Sequence, residues 1–247
     1  MKINFPKDKD FVNSYLHYLL TTPDSFSESS SKAITAVLPS FIEEYWKTNN
    51  KETFFKEQMN LYWKQNDFSF YSDNLQNEWL KYEKDIIATL ENIFDTKLTE
   101  DINIYVYNLH WYPRFLDTQG MIVSNSDPIY FSISTIIHEI THFFYFKKWN
   151  ELFPNDINTY NEAPHVLWHL SEIIAPIVNG DAAIKHIFPD TNSKSLYAYN
   201  RFDKSGDISI QGYFEKLYYK SNGNIEKFLK DAKKIAIENE DILKKAY

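Results

Sequence analysis

Only five glycines occur among the 247 residues of this chain, and three of them lie beyond residue 200. Apolar side chains recur four residues apart near the start of the chain, as in Phe11, Tyr15 and Leu19. This spacing is typical of a helix with one buried face. Scarce glycine and long segments rich in Lys, Glu and aromatic residues favour helix over strand. We therefore expect a chain that is largely helical.

The chain changes character near residue 101, where segments rich in β-forming residues predict two strands at 102–109 and 120–125. An apolar stripe before them predicts one long helix over 75–94. After the strands the helical pattern returns at 132–148 and again at 161–179. Shorter helices are expected at 181–188, 208–219 and 225–245.

No linker rich in Gly, Pro or Ser divides the chain, so we expect a single domain over residues 1–247. Residues 1–100 would form a helical first part, and residues 101–180 the small sheet with the two helices that follow it. Residues 181–247 would form a helical last part. The predicted fold class is α+β and predominantly helical.

The composition limits the chemistry that the chain can perform. Hydrophobic residues make up 43% and aromatic residues 17% of the chain, which is too apolar for a disordered protein. Cysteine is absent, so disulfides, thiolate metal sites and a cysteine nucleophile are excluded. The seven histidines are then the main ligands that the chain offers to zinc and similar transition metals.

The charge balance disfavours a nucleic-acid partner. There are 26 basic and 34 acidic residues, giving a net charge of −8, and Arg114 and Arg201 are the only arginines. Binding to a phosphate backbone requires a clustered basic surface. No apolar run reaches the ~18–20 residues of a membrane span, and the first residues do not resemble a signal peptide. We expect a cytoplasmic protein that binds neither nucleic acid nor membrane.

The pattern His138-Glu139-Ile-Thr-His142 lies within the helix predicted at 132–148. Residues four apart lie above one another on a helix, so His138 and His142 can direct imidazole nitrogens at one point. Glu139 lies about 100° round the helix from His138 and can reach a water held there. Two imidazoles and a neighbouring carboxylate are suited to holding zinc and activating water.

The residues around this pattern carry no charge, from Thr135 to Ile137 and from Phe143 to Phe144. An uncharged run allows the helix to be buried. Apolar surroundings that exclude bulk water strengthen the electrostatic effect of a metal ion on the water molecule bound to it. The alternative is that His138 and His142 are core histidines that hydrogen-bond to neighbouring groups. The two imidazoles and Glu139 together favour the metal interpretation.

This stretch resembles the active-site helix of the zincin metallopeptidases, and the resemblance covers about residues 131–179. It implies a Zn²⁺ cofactor held by His138 and His142, with Glu139 as the general base for hydrolysis of a peptide bond by metal-activated water. It also implies a zincin-like fold, in which a small sheet precedes this helix and an antiparallel helix supplies the third ligand.

Zincins differ in their third ligand. The branch that resembles H-E-x-x-H-x-x-G-x-x-H is excluded, because Tyr145 and Lys148 occupy the positions of its glycine and third histidine. The gluzincins use a glutamate from the next helix, and two residues resemble that ligand. Glu162 lies in Asn-Glu-Ala but is followed two residues later by Pro164, and Glu172 begins a Glu-x-x-Ala pattern.

Helix geometry favours Glu172. The midpoint of the two histidines lies about eight residues, or roughly 12 Å, before the end of the first helix near Lys148. A second helix that starts near residues 161–164 and returns the same distance reaches residues 169–172, whereas Glu162 would lie beyond the first helix. His169 and His165 share this face of the second helix. Either could orient a ligand, donate a hydrogen bond in the transition state, or be an alternative ligand if Glu172 points elsewhere. The alternative is a hydrated or hydrogen-bonded histidine at the helix surface.

The sequence therefore predicts a zinc metallopeptidase of the gluzincin type acting on a peptide or protein substrate. The alternative is a catalytically silent zincin-like protein that binds or regulates a partner. A third possibility is a helical interaction protein in which the motif is accidental. An extended substrate could pair with the strand at 120–125 as a sheet edge. Candidate donors to an oxyanion are Tyr197, Tyr199, Arg201, His186 and Tyr213.

Overall fold

The computed structural model describes residues 1–21, 34–35, 38, 41–109, 112–156, 165–194 and 208–245. These residues are mostly helical with one small mixed sheet, which confirms the predicted α+β class. The chain divides into two compact units: Met1–Leu80 with Glu100–Ser132, called unit 1, and Lys81–Thr99 with Ile133–Tyr247, called unit 2. The assignment of residues 1–247 to a single domain stays a prediction.

In the described part of unit 1, helices pack their aromatic residues together. Tyr62, Trp63 and Phe68 surround Tyr107, with ring centroids 5.3–5.9 Å from its ring. The helices are α1 (Lys9–Thr21), α2 (Phe41–Lys47), α3 (Lys51–Gln65) and α4 (Ser69–Trp79).

The sheet of unit 1 has four strands in the order β1-β2-β4-β3. β2 pairs in parallel with β1 and β4, and β3 pairs antiparallel with β4. Sequence analysis predicted β2 and β4 to within two residues and missed β1 and β3, which have only two residues each. The strands are β1 (Ile3–Asn4), β2 (Ile102–Tyr107), β3 (Arg114–Phe115) and β4 (Gly120–Ser124).

The prediction that the strand at 120–125 forms a sheet edge is wrong. β3 lies on its outer side, where Arg114 pairs with Met121 and Phe115 with Gly120. A Cβ atom at Gly120 would lie 3.0 Å from the Phe115 ring and 3.2 Å from the Asn103 carbonyl oxygen. Glycine is therefore needed here because the strands and the ring approach so closely.

The single helix predicted over 75–94 is also wrong. α4 ends at Trp79, and a separate helix α5 (Glu83–Phe94) follows in unit 2. Leu80 and Tyr82 between them keep near-helical dihedral angles, with φ −55°, ψ −21° and φ −116°, ψ −23°. The chain departs little from helical geometry between the two helices, and no Gly or Pro lies there. The helical spacing of apolar residues therefore continues from α4 into α5 and does not reveal the break.

Unit 2 is built around one buried helix, α7 (Val166–Asn179). Of its residues, Glu172 alone is not buried. The other helices in the described part of unit 2 are α5, most of α6 (Ile129–Leu152), α8 (Ala182–Ile187), α9 (Ile210–Lys220), α10 (Ile225–Glu238) and α11 (Glu240–Lys244). α7 packs against α9, α10 and α11.

The end of α7 is shaped by a close approach of the chain. Gly180 follows α7 with φ −80°, which is ordinary helical backbone. A Cβ atom at this position would lie 3.1 Å from the Cβ of Ser193 and 3.3 Å from the Ile177 carbonyl oxygen. Glycine here allows the segment around Ser193 to lie directly against the end of α7.

A partly buried ion pair fixes the chain after α6 to α10. Asp156 accepts hydrogen bonds from Lys233 at 2.8 and 3.0 Å and from the Trp149 indole at 2.9 Å. Its side chain is 19% exposed and that of Lys233 22%. We expect Asp156→Ala to lower the free energy of unfolding by about 1–2 kcal/mol, because the buried Trp149 indole and the partly buried Lys233 lose their acceptor. Urea denaturation measures this change.

The matched control for this prediction is Asp190→Ala, since Asp190 is exposed. Its effect should stay within about 0.5 kcal/mol. A loss of stability no larger for Asp156→Ala than for Asp190→Ala would contradict the role of the ion pair.

None of the helices in the described ranges is both long and apolar enough to cross a membrane.

Candidate metal centre

Helix α6 brings the two motif histidines together. Between Ser132 and Phe146 its side chains are buried except for Thr135 and His138, which are partly exposed. The Nε2 atoms of His138 and His142 lie 3.1 Å apart. His142 has no exposed surface, whereas 22% of the His138 side chain is exposed. The predicted convergence of the two imidazoles is therefore present, with solvent access on the side of His138.

Helix α7 directs Glu172 at the same point. Its carboxylate oxygens lie 3.7 Å from His138 Nε2 and 3.5 Å from His142 Nε2. The Glu172 side chain is 22% exposed, like that of His138. A carboxylate on an otherwise buried helix requires a charged or polar partner, and the two imidazoles provide one. Of the residues that could have supplied the third group, the structure brings Glu172 to the histidines.

The three side chains fit a zinc ion. Within the described residues, His138, His142 and Glu172 form a group whose candidate ligand atoms all lie within 4.8 Å of one another. Tetrahedral zinc with ligands at about 2.0–2.2 Å separates its ligand atoms by about 3.3–3.5 Å. The separations between neighbouring ligand atoms are 3.1, 3.5 and 3.7 Å, so little movement would be needed to hold the ion.

Glu139 follows His138 on α6 and is almost fully buried, with 6% of its surface exposed. It is not part of the three-residue group. A residue next to a ligand on a helix points about 100° away from it, so Glu139 can face a group held at the cluster without ligating the same ion. A general base must lie within hydrogen-bond reach of the attacking water, and this role of Glu139 stays a prediction.

The alternative third ligands have different outcomes. Glu162 lies outside the described residues. His169 is fully buried one turn before Glu172, and it is not a member of the group of candidate ligands in the described chain. His165 instead caps α7: its Nδ1 atom accepts a hydrogen bond from the Leu167 N–H at 3.1 Å. α7 therefore begins at Val166, later than the start predicted at residue 161.

The His165 cap makes the stability of the protein depend on pH. Burial lowers the pKa of the His165 imidazole, and Lys244 adds to this shift while Glu240 and Asp156 oppose it. The unfolded chain, with its pKa of about 6.5, therefore takes up this proton at higher pH than the folded protein does. This contribution to stability is fully present above about pH 6.5 and is lost as the pH falls through the folded pKa.

We expect His165→Asn to remove this component of the pH dependence, because asparagine also caps helices but does not titrate. His165→Ala should lower the free energy of unfolding by about 1 kcal/mol at pH 7.5 through loss of the cap. Urea denaturation at pH 7.5 and 5.5, with a chelator present, measures both effects. Identical pH dependence in the wild type and His165→Asn would contradict the assignment.

The candidate oxyanion donors are only partly described. Tyr197, Tyr199 and Arg201 lie outside the described residues. His186 lies in the last turn of α8, and Tyr213 lies in α9 with its ring 5.9 Å from that of Phe214. A role for any of the five in binding an oxyanion stays a prediction.

Sequence analysis missed two buried polar residues beside the cluster, Thr141 and Asn179. The Thr141 hydroxyl lies 3.1 Å from the amide oxygen of Asn179, and neither residue has exposed surface. Asn179 is seven residues after Glu172 and therefore lies on the same face of the helix. That spacing could have indicated that Asn179 also faces α6.

Comparisons with protein-family models, with curated proteins and with solved structures return no match for this chain.

Proposed function

We propose that this protein is a zinc-dependent metallopeptidase in which His138, His142 and Glu172 hold the metal and Glu139 is the general base. The observation that carries the proposal is the convergence of these three side chains, with ligand atoms 3.1–3.7 Å apart. They come from α7 and from the stretch between Ser132 and Phe146 of α6, both of which are otherwise almost entirely buried. Two imidazoles and a carboxylate with a nearby acid are the donor set of a hydrolytic zinc site.

The donor types support zinc over other metals. Mg²⁺ and Ca²⁺ prefer sites made of oxygen ligands, whereas two of the three groups here are imidazoles. The chain has no cysteine, which removes the thiolate ligands that structural zinc sites commonly use. Three protein ligands also leave a fourth tetrahedral position for water, which is the arrangement of catalytic rather than structural zinc.

Each residue has a distinct task in the proposed reaction. When bound, zinc supplies a Lewis acid and lowers the pKa of a coordinated water. Glu139 accepts a proton as water attacks the carbonyl carbon of the substrate, and it then donates a proton to the nitrogen of the departing amine. His142 and Glu139 are almost fully buried, so bulk water competes little for their interactions.

The solvent-accessible side of the cluster supports access for a substrate. His138 and Glu172 each expose 22% of their side chains, whereas the rest of α7 is buried. A substrate would therefore approach over these two residues. The exposed edge would let water and a substrate reach the open fourth position that three protein ligands leave on a zinc ion.

The experiment that tests the proposal measures zinc and hydrolysis on the same preparation. The full chain is treated with a chelator, loaded with zinc and analysed for metal content, and then incubated with a mixed peptide library. We expect one zinc per chain and cleavage that stops when the metal is removed. A protein that takes up no zinc would contradict the proposal. One zinc without cleavage would instead favour a binding or regulatory protein.

A further inference from the structure

A set of buried polar side chains joins α6 to the end of α7, and we call it the clasp: Ser134, Thr141, Asn179 and Thr191. The Thr191 hydroxyl donates to the Asn179 carbonyl oxygen at 2.9 Å. The next residue, Asn192, donates its backbone N–H to the Ser134 hydroxyl at 2.8 Å. All four clasp residues are at most 4% exposed. The bonds of Thr191 to Asn179 and of Thr141 to Asn179 are buried, whereas the bond from Asn192 is only partly buried.

Two clasp residues lie on either side of His138, the first candidate metal ligand, on α6. Ser134 lies one turn before His138 on α6, and Thr141 lies one turn after it. Thr191 and Asn192 are adjacent in the chain, and they hydrogen-bond to Asn179 and Ser134 respectively. The Asn179 amide oxygen in turn lies 3.1 Å from the Thr141 hydroxyl. These hydrogen bonds therefore link Ser134, before His138 on α6, to Thr141, after His138, through the end of α7.

Helix α7 is consequently held to one turn of α6 at two points. Glu172 reaches His138 and His142, and Asn179, two turns further along α7, reaches Thr141 between them. The two points are about 10 Å apart along α7. Packing against α9, α10 and α11 holds α7 in place as a whole, and the second contact with α6 further restricts the position of the Glu172 carboxylate relative to the two histidines.

The helix needs this second attachment because of Pro176. This proline lies inside α7, and it has no N–H to donate to the carbonyl of Glu172, four residues before it. The backbone is thus held less firmly between Glu172 and Asn179 than in an ordinary helix. A hydrogen bond at Asn179 limits movement in the part of α7 that the proline weakens.

Thr141 suits this role because its hydroxyl has two partners. It donates to the Ile137 carbonyl oxygen at 2.8 Å within α6, and it lies against the Asn179 amide. One hydroxyl proton cannot serve two acceptors fully. With the amide rotated by 180°, its nitrogen donates to the Thr141 hydroxyl while that hydroxyl donates to Ile137, and the amide oxygen takes the position that has no partner in the described chain. In either orientation, valine at this position would leave the amide unpaired.

We propose that Thr141 and Asn179 are positioning residues that set the affinity and geometry of the metal site without touching the metal. The inference rests on the proposed function, because it requires that the histidine–glutamate cluster binds zinc. Groups outside the ligand set that orient ligands commonly change metal affinity by about 10–100-fold. Loss of the clasp bond should therefore weaken metal binding rather than merely lower stability.

The test compares Thr141→Val, which removes the hydroxyl at nearly constant shape, with Thr141→Ser, which keeps it. Zinc affinity is measured by competition with a chromophoric chelator, and the visible absorption spectrum of the Co²⁺-loaded protein reports ligand geometry. We expect Thr141→Val to weaken zinc binding about 10-fold or more and to change the Co²⁺ spectrum. Thr141→Ser should bind zinc with an affinity within a few-fold of the wild type and should keep the wild-type Co²⁺ spectrum.

The control is Ser171→Ala on α7. Ser171 is also fully buried, but its hydroxyl donates to the Trp168 carbonyl oxygen of its own helix at 2.7 Å. This variant should lose stability and keep its zinc affinity. Asn179→Ala is the second variant, and the rise in its unfolding midpoint on adding zinc reports affinity even where the folded state is marginal.

The outcomes separate the two proposals. Wild-type affinity and spectrum in Thr141→Val or in Asn179→Ala would overturn the clasp inference and leave the zinc site intact. Equal weakening by Ser171→Ala would also overturn it, since the loss would then follow from destabilisation alone. A wild-type protein that takes up neither Zn²⁺ nor Co²⁺ would instead overturn the proposed function.

Discussion

Glu139→Gln is expected to lower the rate of peptide hydrolysis by about 10²–10⁴-fold, the contribution of a general base, while the protein keeps its zinc. The amide has nearly the same shape as the carboxylate but cannot accept the proton of the attacking water. Glu139 is 6% exposed and is not a member of the candidate ligand group in the described chain. Loss of the Glu139 carboxylate should therefore reduce the turnover number and leave the metal content unchanged. Both are measured on the zinc-loaded variant.

The matched control is Glu57→Gln, which makes the same change at an exposed glutamate of α3. Its hydrolysis rate should equal that of the wild type. Two results would contradict the role of Glu139. One is hydrolysis by Glu139→Gln at the wild-type rate, and the other is loss of zinc from this variant, which would identify Glu139 as a ligand.

Glu172→Gln is expected to weaken zinc binding by more than about 100-fold, beyond the usual effect of groups outside the ligand set. The substitution removes the one negative charge among the three candidate ligands and replaces a strong oxygen donor with a weak one. Glu172 also lies on a buried helix, with its carboxylate 3.5 and 3.7 Å from the two imidazoles. Competition with a chromophoric chelator measures the change in affinity.

The same assay distinguishes the three residues considered for the third ligand. His169→Asn and Glu162→Gln should each bind zinc with an affinity within about 10-fold of the wild type, since neither would contact the metal directly. A variant at His169 or Glu162 that loses zinc as severely as Glu172→Gln would contradict the assignment. Circular dichroism of each variant checks that it is folded before its zinc affinity is compared with that of the wild type.

The sequence predicted those parts of the fold that carry a repeating pattern. β2 and β4 are long enough for their β-forming residues to be recognised, and α6 and α7 carry long apolar stretches. β1 and β3 have two residues each, so no pattern can form in them. The break between Trp79 and Glu83 was missed because the turn between α4 and α5 preserves helical spacing.

The candidate site was predictable to different degrees for different residues. His138, Glu139 and His142 lie within five residues of one helix, where the relation between spacing and direction is fixed by helix geometry. Glu172 required an argument about two helix lengths. Its proximity to the histidines follows from the structure, at 3.5 and 3.7 Å.

Thr141 and Asn179 were not predicted, although they contact each other at 3.1 Å. They are 38 residues apart in the chain, and a hydroxyl facing an amide leaves no characteristic pattern in a single sequence. For His165 the sequence left open a role at the site or a hydrogen-bonded position at the helix surface, and the structure shows it as the cap of α7. Helix caps depend on the conformation of one residue at the helix start, which apolar spacing does not specify.

The most direct test of the zinc site is anomalous scattering from crystals of the zinc-loaded protein, with data on both sides of the zinc absorption edge. We predict one strong peak per chain, about 2.0–2.2 Å from His138 Nε2, His142 Nε2 and a carboxylate oxygen of Glu172. No peak at these three residues, or a peak ligated by His169 or Glu162 in place of Glu172, would contradict the account.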